Sequence, residues 1–447
     1  MFLDVSSHNG KDFEKNNLNK VRCIHMTTQK LSRVGLGGYR MSIKSKEHEE
    51  ALRLALDCGC NLIDTSTNYT YGDSELLIGK VLNDFKGEKP TIVSKAGYIQ
   101  GPNLKNFEEL RALGKAKEDL VDLGADFKHS IHPEFLESQI SLSLARLGIQ
   151  EIDYFLLHNP EYYFKTKGSS EEVYLQRLKK AFMHLEEEVF RGRIKYYGIS
   201  SNTFPVSPSE NNYTNLAKVM EIAKSVSKKH HFKMIQFPMN LIERGALGLH
   251  FNGKNLIQFA HDHNLITLAN RPLNAFAPDG FLRLAQYTST LPSRPECDKM
   301  LAERLNELQE KIDRQGNKES LNVHELPFIK QFKEMWPSFP TPDVVEQVFL
   351  GHLFPLVAQL YGGTLSLEDS QPYYALYEIS LARSRRMMTE RASKYREMLE
   401  VNGIIDSNAQ QPLPILAIQK YLEWGVDHVL VGMKRTQYVR ELQPFFA

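Results

Sequence analysis

The chain has 447 residues, of which 42% are apolar and 24% are charged, and its formal net charge is +1. A chain with so little net charge creates no strong field of one sign, so nucleic acid and anionic membrane surfaces are not its expected partners. Its four cysteines fit a reducing compartment and form no CxxC redox or zinc pattern.

The first 26 residues form a polar stretch with little hydrophobic periodicity, and they lack the apolar centre of a signal peptide. Nowhere in the sequence do about 18 apolar residues follow one another, which is the length that a membrane-spanning helix needs. We therefore expect a cytoplasmic protein without a membrane span, whose residues 1–26 form a polar leader.

From Arg33 onward, short apolar runs of strand length alternate with amphipathic stretches of helix length. This rhythm is typical of repeated strand–helix units around a parallel sheet. Eight such units favour an α/β fold, the (β/α)8 TIM barrel, whose active site lies at the C-terminal strand ends. The alternative is an open doubly wound sheet, but the turn at Gly35–Gly38 lacks the third glycine of a dinucleotide-binding loop. The predicted strands are Val34–Gly37, Asn61–Asp64, Thr91–Ser94, Asp153–Leu157, Tyr196–Ser200, Met234–Phe237, Leu265–Ala269 and Val429–Val431.

Three of the intervening helices have apolar stripes and signals for their ends. Residues 134–147 follow Pro133, which suits a first helical turn, and residues 178–189 precede Gly192, which suits a helix end. Residues 413–424 carry a weaker stripe.

Two long segments interrupt the barrel pattern, at residues 99–132 and 276–410. The second is too long for a simple loop and has helical periodicity, so it predicts a helical insertion after the seventh strand. The barrel then comprises residues 27–275 and 411–447. We expect the insertion to lie over the C-terminal mouth and to shape the substrate pocket. The alternative is that it is a surface decoration or an oligomer contact. Its basic stretch at 383–396 is interleaved with acids, which is typical of a solvated helix face.

Three successive predicted strands end in a titratable residue, namely Asp64, Lys95 and His158. Tyr69 follows the first of them by five residues, in a loop that Gly72 closes. In a parallel barrel these strand ends share one rim, so we expect the side chains to meet there.

These four residue types fit proton transfer at a carbonyl group. An ammonium group near a phenol lowers the phenol's pKa of about 10, and the carboxylate of Asp64 would hold Lys95 charged and oriented. Tyr69 is then the general acid in reduction and the general base in oxidation, while His158 donates a hydrogen bond to the carbonyl oxygen or relays its proton. The hydride must come from a cofactor, since no side chain supplies one. Taken singly, each residue fits an ordinary cap, packing, surface or turn role.

The segments around these residues resemble the aldo-keto reductase family. LIDTSTNYTYGDSELLIGKVL (62–82) is similar to the family's first signature, IVSKAG (92–97) to its lysine strand and DYFLLHNPE (153–161) to its histidine strand. The resemblance covers about 30–273 and 412–442, and it implies a (β/α)8 barrel that binds NADP(H) across the strand ends without a Rossmann domain. It further implies an NAD(P)-dependent oxidoreductase that acts on CH–OH groups. The catalytic residues that it implies are Asp64, Tyr69, Lys95 and His158.

The resemblance also implies which residues hold the nicotinamide end of the cofactor. GRIKYYGISSN (192–202) is similar to the stretch that binds the carboxamide, through Ser200 and either Ser201 or Asn202. MIQFPMN (234–240) is similar to the strand whose glutamine, here Gln236, lies near that amide. The remaining implied cofactor residues in the first part of the chain are Gly38, Tyr39 and Asp64.

Two later loops resemble those that hold the rest of the cofactor in the family. NRPLNAF (270–276) resembles the pyrophosphate loop, but Asn270 stands where many members have an aromatic ring that stacks on the nicotinamide, and Phe237 or another ring is the expected replacement. VGMKRTQYVREL (431–442) resembles the loop at the adenosine end, where Lys434 and Arg435 suit a 2′-phosphate and favour NADP over NAD. The cofactor residues implied in these loops are Arg271, Pro272, Leu273, Gly432, Met433, Lys434, Arg435 and Gln437.

The sequence thus predicts an NADP(H)-dependent oxidoreductase that interconverts a small-molecule aldehyde, ketone or sugar-like carbonyl and its alcohol, with NAD as an alternative cofactor. A second hypothesis is a nucleotide-sensing regulatory protein on the same barrel that binds a partner through the insertion. A third is a barrel hydrolase or isomerase with a metal at Asp64 and His158, although no HxH or HExxH pattern is present. The substrate, the physiological direction and the oligomeric state are left open.

Overall fold

The computed structural model of the chain describes residues 30–114, 119–277, 280–287, 292–315, 341–360 and 366–446, together with residues 332, 334–336, 339 and 363. The leader predicted at residues 1–26 lies outside these ranges. Among the described residues, no helix has the length and apolar character that crossing a membrane requires.

Eight parallel strands close into a barrel, which confirms the expected (β/α)8 fold. Each strand pairs with its neighbours in sequence, and the eighth closes on the first, with Val429 opposite Val34. Every predicted strand is present, and its ends differ from the prediction by at most two residues. The strands, numbered β1 to β8, are Val34–Gly37, Leu62–Asp64, Thr91–Ala96, Ile152–His158, Ile194–Ser200, Phe232–Pro238, Ile266–Asn270 and His428–Val431.

The barrel interior is filled by a layer of apolar side chains from alternate strand positions. Residues at the other alternating positions of the same strands, such as Ile63, Phe155 and Phe237, point outward into the core between strands and helices. The layer therefore closes the barrel beneath the C-terminal strand ends and leaves the polar residues of those ends above it. Its buried members are Leu62, Val93, Leu156, Met234, Leu268 and Leu430.

The helices around the barrel begin and end where local sequence signals place them. Pro133 occupies the first turn of the helix Pro133–Leu147, and Glu171–Phe190 ends just before Gly192, whose φ is 69°. The three predicted helices are confirmed, although the prediction for 178–189 missed the polar first turns of that helix. The remaining barrel helices are Lys46–Asp57, Asp73–Asp84, Leu216–Val226, Leu256–Asp262, Leu413–Glu423 and Thr436–Leu442.

The segment between β3 and the helix at Pro133 forms a small sheet at the barrel mouth. A helix, Pro102–Ala112, separates the first strand of that sheet from the other two. Tyr98 pairs with His129 across the sheet, so both side chains come close to the end of β4. The strands are Tyr98–Ile99, Val121–Asp122 and Lys128–His129.

The insertion after β7 begins with a hairpin of Asn274–Ala277 and Gly280–Arg283 and continues mainly as helices. Its apolar side chains form a core of their own, which includes Phe349 and Leu376. The longest helix enters both cores, because Leu376 packs in the insertion while Ala392 and Leu399 pack on the barrel. The helical segments are Arg294–Gln315, Pro342–Val348, Phe349–Leu353, Phe354–Leu360 and Leu367–Val401.

The basic stretch of the longest helix is the expected solvated face only in part: Lys394 is exposed and Arg386 pairs with Glu390 along the helix, whereas three arginines make other contacts. Arg383 is buried and donates to Asp298 Oδ1 over 2.9 Å, and Arg391 donates to the carbonyl oxygens of Gly280 and Phe281 in the hairpin. Arg396 reaches the carbonyl oxygen of Ala409 over 2.6 Å. Arg383 and Arg391 hold the insertion together, and Arg396 also reaches the carbonyl oxygen of Gln411, where the chain returns to the barrel.

Candidate active site

The four residues predicted to carry the chemistry lie together at the C-terminal mouth of the barrel. Asp64 is the last residue of β2, Lys95 is the penultimate residue of β3, and His158 is the last residue of β4. Tyr69 begins a short 3-10 turn, Tyr69–Gly72, that follows β2. The parallel strands bring three of these residues to one rim, and the turn brings the fourth across it.

Asp64 and Lys95 form a buried ion pair. Lys95 Nζ lies 2.6 Å from Asp64 Oδ1 and donates a second hydrogen bond to the carbonyl oxygen of Thr65 over 2.7 Å. Gln236 Nε2 donates to the same Asp64 oxygen over 2.7 Å. Burial raises the pKa of Asp64, and it lowers the pKa of Lys95, while the charge of each partner opposes the shift of the other. The pair is held in one geometry and carries no net charge.

The turn that carries Tyr69 adopts an uncommon backbone conformation. Thr70 and Tyr71 have φ values of 45° and 58°, a region that side chains other than glycine rarely adopt. Thr70 Oγ1 donates to the carbonyl oxygen of Met41 over 2.5 Å, which fixes the turn to the loop after β1. The centre of the Tyr69 ring lies 5.0 Å from Lys95 Nζ and 6.0 Å from the centre of the His158 ring.

The pKa of Tyr69 shifts in the direction opposite to our expectation from the sequence. Burial and then the negative charge of Asp64 raise the pKa of Tyr69 well above its ordinary value. The expected lowering by Lys95 is not found, because burial is the largest contribution and the carboxylate of Asp64, which pairs with the ammonium group, adds to it. Tyr69 is therefore a neutral phenol in the resting site.

His158 is enclosed by aromatic and polar neighbours. Ser66 Oγ lies 3.1 Å from His158 Nδ1, and the Tyr98 ring stands edge-on to the imidazole with 4.6 Å between ring centres. Burial and the charge of Lys95 lower the pKa of His158 well below its ordinary value, so the imidazole is neutral at neutral pH. Among the described residues, no group of three or more His, Cys, Asp or Glu side chains is arranged to hold a metal ion.

A second polar cluster lies beside the ion pair, where the carboxamide group was expected. Gln236 Oε1 accepts hydrogen bonds from Ser200 Oγ over 3.0 Å and from Asn270 Nδ2 over 3.2 Å. Asn270 Oδ1 is buried without a hydrogen-bond partner among the described residues. A buried acceptor without a hydrogen bond costs free energy, unless a bound ligand supplies the donor.

The other candidates for this cluster lie elsewhere. The hydroxyl group of Ser201 contacts those of Thr203 and Thr214, at 3.1 and 3.2 Å, so it does not join Gln236. Asn202 is half-buried at the rim, and its backbone N–H donates to Glu161 Oε1. The expectation that Phe237 replaces the stacking ring is wrong, because its side chain is fully buried in the core outside the barrel.

Gly38 and Tyr39 line the same mouth after β1. Gly38 N–H donates to the carbonyl oxygen of Asp64 over 2.8 Å, and a Cβ atom on Gly38 would lie only 2.6 Å from Ser74 Oγ. The exposed ring of Tyr39 stands edge-on to Tyr69, with 5.3 Å between ring centres. The rim thus presents an aromatic face to solvent beside the predicted proton donor.

The loop after β7 contributes mainly Arg271 to the mouth. Arg271 has a φ of 53° and lies 3.4 Å from Glu243 Oε1. The carbonyl oxygen of Pro272 accepts a hydrogen bond from the Tyr421 hydroxyl group, and Leu273 packs against the core, so both residues position the loop.

The predicted cofactor residues in the loop after β8 differ in how far they are exposed. Met433 is fully buried in the core, whereas Gly432 and Gln437 are exposed, and Gln437 bonds Glu441. Lys434 and Arg435 face the insertion, where Lys434 Nζ lies 3.2 Å from Asp343 Oδ1 and Arg435 Nη2 lies 3.2 Å from Glu346 Oε1. The two cations expected at a phosphate are thus present and are paired with carboxylates.

Four charged residues of this region, Arg40, Arg283, Asp343 and Glu346, were not among the predicted site residues. Arg40 and Arg283 each form an ion pair with Asp343, over 2.9 and 2.6 Å, so three cations surround that carboxylate. The only local signal was the segment Thr341-Pro-Asp343-Val-Val-Glu346, a helix start with two acids on one face. Nothing in that signal indicated that the face meets the loop after β8.

A family model described as the Aldo/keto reductase family matches residues 33–329, which is more than half of the chain. The chain is 30% identical over 103 residues to the NADH-specific methylglyoxal reductase of Escherichia coli (strain K12), covering 23% of this chain and 27% of the relative. It is 26% identical over 189 residues to the aldo-keto reductase yakc of Schizosaccharomyces pombe, whose name includes NADP(+), covering 40% of this chain and 46% of the relative. The chain therefore spans less than half the length of either relative.

Among solved structures, the glycerol dehydrogenase of Gluconobacter oxydans is similar over most of both chains. It is 17% identical, the superposition covers 93% of this chain and 87% of that chain, and the TM-score is 0.47.

Proposed function

The chain belongs to the aldo/keto reductase family, and we propose that it is an NADP(H)-dependent oxidoreductase that interconverts an aldehyde, a ketone or a sugar-like carbonyl and its alcohol. One observation carries this proposal. The buried ion pair of Lys95 and Asp64 lies beneath the ring of Tyr69, with the neutral imidazole of His158 next to that ring. A carbonyl oxygen held above these groups would meet a proton donor and a hydrogen-bonding group together.

The polar cluster at Gln236 fits the carboxamide group of a nicotinamide ring. That group both donates and accepts hydrogen bonds, and the unpaired Oδ1 of Asn270 supplies a buried acceptor for it. The bound cofactor would supply the hydride that no side chain can. The residues that would hold it are Ser200, Asn202, Gln236 and Asn270 at the nicotinamide end, Arg271 at the pyrophosphate, and Lys434 and Arg435 at the adenosine end.

Tyr69 is proposed to give its proton to the substrate oxygen in reduction and to take it back in oxidation. Because burial raises the pKa of Tyr69, the phenol keeps its proton until negative charge develops on the substrate oxygen. The ammonium group of Lys95, 5.0 Å from the ring centre, then offsets the charge left on the phenolate. Asp64 and Gln236 keep that ammonium group in place.

His158 is proposed to orient the substrate oxygen as a neutral imidazole. Its Nδ1 faces Ser66 Oγ at 3.1 Å, which leaves Nε2 as the nitrogen for the substrate. The edge-on ring of Tyr98 prevents the imidazole from rotating, and His129 Nε2 bonds the carbonyl oxygen of His158 over 2.8 Å. The ring contacts with Ser66 and Tyr98 restrict the direction in which Nε2 points, while the bond from His129 holds the backbone of the strand end.

The proposal is tested with purified protein, reduced nicotinamide cofactor and a panel of aldehydes, ketones and aldoses. We expect the absorbance of the reduced cofactor to fall when a substrate is added. With the corresponding alcohol and the oxidised cofactor, the same absorbance should rise. Binding of both cofactors is measured in parallel by isothermal titration calorimetry. The proposed activity would be overturned if a cofactor binds but no substrate reacts in either direction.

A further inference from the structure

One short helix of the insertion places two carboxylates on the cations at the adenosine end of the candidate site. Asp343 Oδ1 lies 3.2 Å from Lys434 Nζ, and Glu346 lies 3.3 Å from Lys434 Nζ and 3.2 Å from Arg435 Nη2. We call Asp343 and Glu346 the carboxylate pair. The basic cluster that surrounds the pair consists of Arg40, Arg283, Lys434 and Arg435.

The packing of the helix Pro342–Val348 fixes the direction of the carboxylate pair. Thr341 caps its first turn by accepting from Val344 N–H, and Val345 is fully buried in the core of the insertion. Asp343 and Glu346 are three residues apart, so they lie on one face of the helix. That face is turned to the barrel because the opposite face is held in the insertion core.

The carboxylate pair is charged and only slightly exposed. The side chain of Asp343 retains 14% of its accessible surface and that of Glu346 retains 22%. Burial acts to raise the pKa of Asp343, but the positive charges of Arg283, Arg40 and Lys434 hold that pKa well below its ordinary value. Two ionised carboxylates carry two negative charges, which is close to the charge of a phosphate monoester at neutral pH.

This inference rests on the proposed function. We propose that the carboxylate pair takes the place of the cofactor's 2′-phosphate on Lys434 and Arg435, and that it determines how strongly the protein discriminates between NADP and NAD. A 2′-phosphate must displace the pair from both cations before it can bind them, whereas the ribose hydroxyl groups of NAD compete for neither cation. The insertion thus reduces the preference for NADP that the loop after β8 would otherwise create.

The discriminating experiment removes the charge of the pair while keeping its hydrogen-bonding shape. The double variant Asp343→Asn/Glu346→Gln and the wild type are titrated with NADP⁺ and with NAD⁺ by calorimetry, without substrate. We expect the ratio of the Kd for NADP⁺ to the Kd for NAD⁺ to fall on the order of tenfold in the variant, mainly through tighter binding of NADP⁺.

A control variant changes the net charge by the same amount at distant positions of the insertion. Glu303 and Glu390 each form an exposed ion pair within their own helix, so Glu303→Gln/Glu390→Gln should leave the ratio unchanged. Titration with adenosine 2′,5′-bisphosphate and with adenosine 5′-monophosphate isolates the phosphate end, and only the first should gain affinity when the pair is removed.

Hydrogen–deuterium exchange of the wild type tests the same idea without any substitution. Saturation with NADP⁺ should speed exchange in residues 341–353, since the helix loses its anchor, whereas saturation with NAD⁺ should not. This inference alone would be overturned if the double variant binds both dinucleotides with an unchanged Kd ratio. It would also be overturned if NADP⁺ protects residues 341–353 from exchange. Binding of neither dinucleotide by any variant would overturn the proposed function and this inference with it.

Discussion

Lys95 Nζ lies 2.6 Å from Asp64 Oδ1, and neither side chain has more than 5% of its surface exposed. Two opposite charges placed this close in a buried site stabilise the fold only while both are present, because each compensates the desolvation of the other. In the proposed function the same pair also serves the proton transfer at Tyr69. Stability and activity are therefore expected to respond differently when one or both charges are removed.

Lys95→Met should lower the free energy of unfolding by roughly 3–5 kcal/mol, because it leaves the carboxylate of Asp64 buried without its partner. The double variant Lys95→Met/Asp64→Asn, in which both groups are neutral, should recover most of that loss. Neither variant should regain turnover, since the ammonium group is missing from both. Urea denaturation and the cofactor assay measure the two properties, and a double variant as unstable as the single one would contradict the prediction.

Tyr69→Phe should reduce kcat by roughly 10²- to 10⁴-fold, because it removes the proposed general acid. The Kd of the cofactor should stay close to that of the wild type, because no cofactor contact is assigned to the hydroxyl group. Tyr71→Phe is the matched control, since Tyr71 lies in the same turn with 63% of its surface exposed. Equal loss of kcat in both variants would point to the turn rather than to the hydroxyl group of Tyr69.

Gly38→Ala should destabilise the protein by about 1–3 kcal/mol, because buried contacts leave no room for a methyl group. The new Cβ atom would lie 2.6 Å from Ser74 Oγ and 3.0 Å from the carbonyl oxygen of Asp64. Gly432→Ala is the comparison, because no atom lies within 4 Å of the corresponding position there. Thermal denaturation should show a lower Tm for the first variant and an unchanged Tm for the second.

Glu161→Gln should change how stability depends on pH. Burial raises the pKa of Glu161 to about 7, although the backbone N–H of Asn202 opposes the shift. The folded state therefore binds this proton more tightly than the unfolded state, so the stability that this group contributes is greatest at acidic pH and is lost as the pH rises through about 7.

The variant cannot ionise at this position and should lack that part of the decline. The difference between its free energy of unfolding and that of the wild type should increase by roughly 2.5 kcal/mol between about pH 5 and about pH 8. Glu172→Gln, at an exposed position of the helix Glu171–Phe190, should follow the wild type at both pH values. Parallel pH profiles for the wild type and Glu161→Gln would contradict the assignment.

The barrel and its candidate catalytic rim could be predicted because both depend on local signals. Each strand is an apolar run with clear ends, and parallel strands must bring their last residues to one edge, so Asp64, Lys95 and His158 had to be neighbours. The error over Phe237 was avoidable by the same logic. Adjacent residues of a strand face opposite sides, so if Gln236 points into the barrel, Phe237 must point away from it.

The electrostatics of the site could not be predicted from the sequence in the same way. The pKa of Tyr69 depends on how deeply the ring is buried and on where the ammonium group of Lys95 is directed, and neither is a property of residue spacing. The pairing of Asp343 with Lys434 joins residues 91 positions apart, and it depends on how the insertion packs. Tertiary packing, rather than local pattern, decides both.

The closing of β8 on β1 has a consequence for how the chain is made. Val34 and Val429 become strand partners only after all the residues between them, including the insertion, have left the ribosome. Until then β1 and β7 each have one unsatisfied edge, and the insertion that follows β7 lengthens the time for which both edges stay open. The nascent barrel is therefore most exposed to mispairing and aggregation during synthesis of the insertion, which makes early folding of that segment valuable to the whole protein.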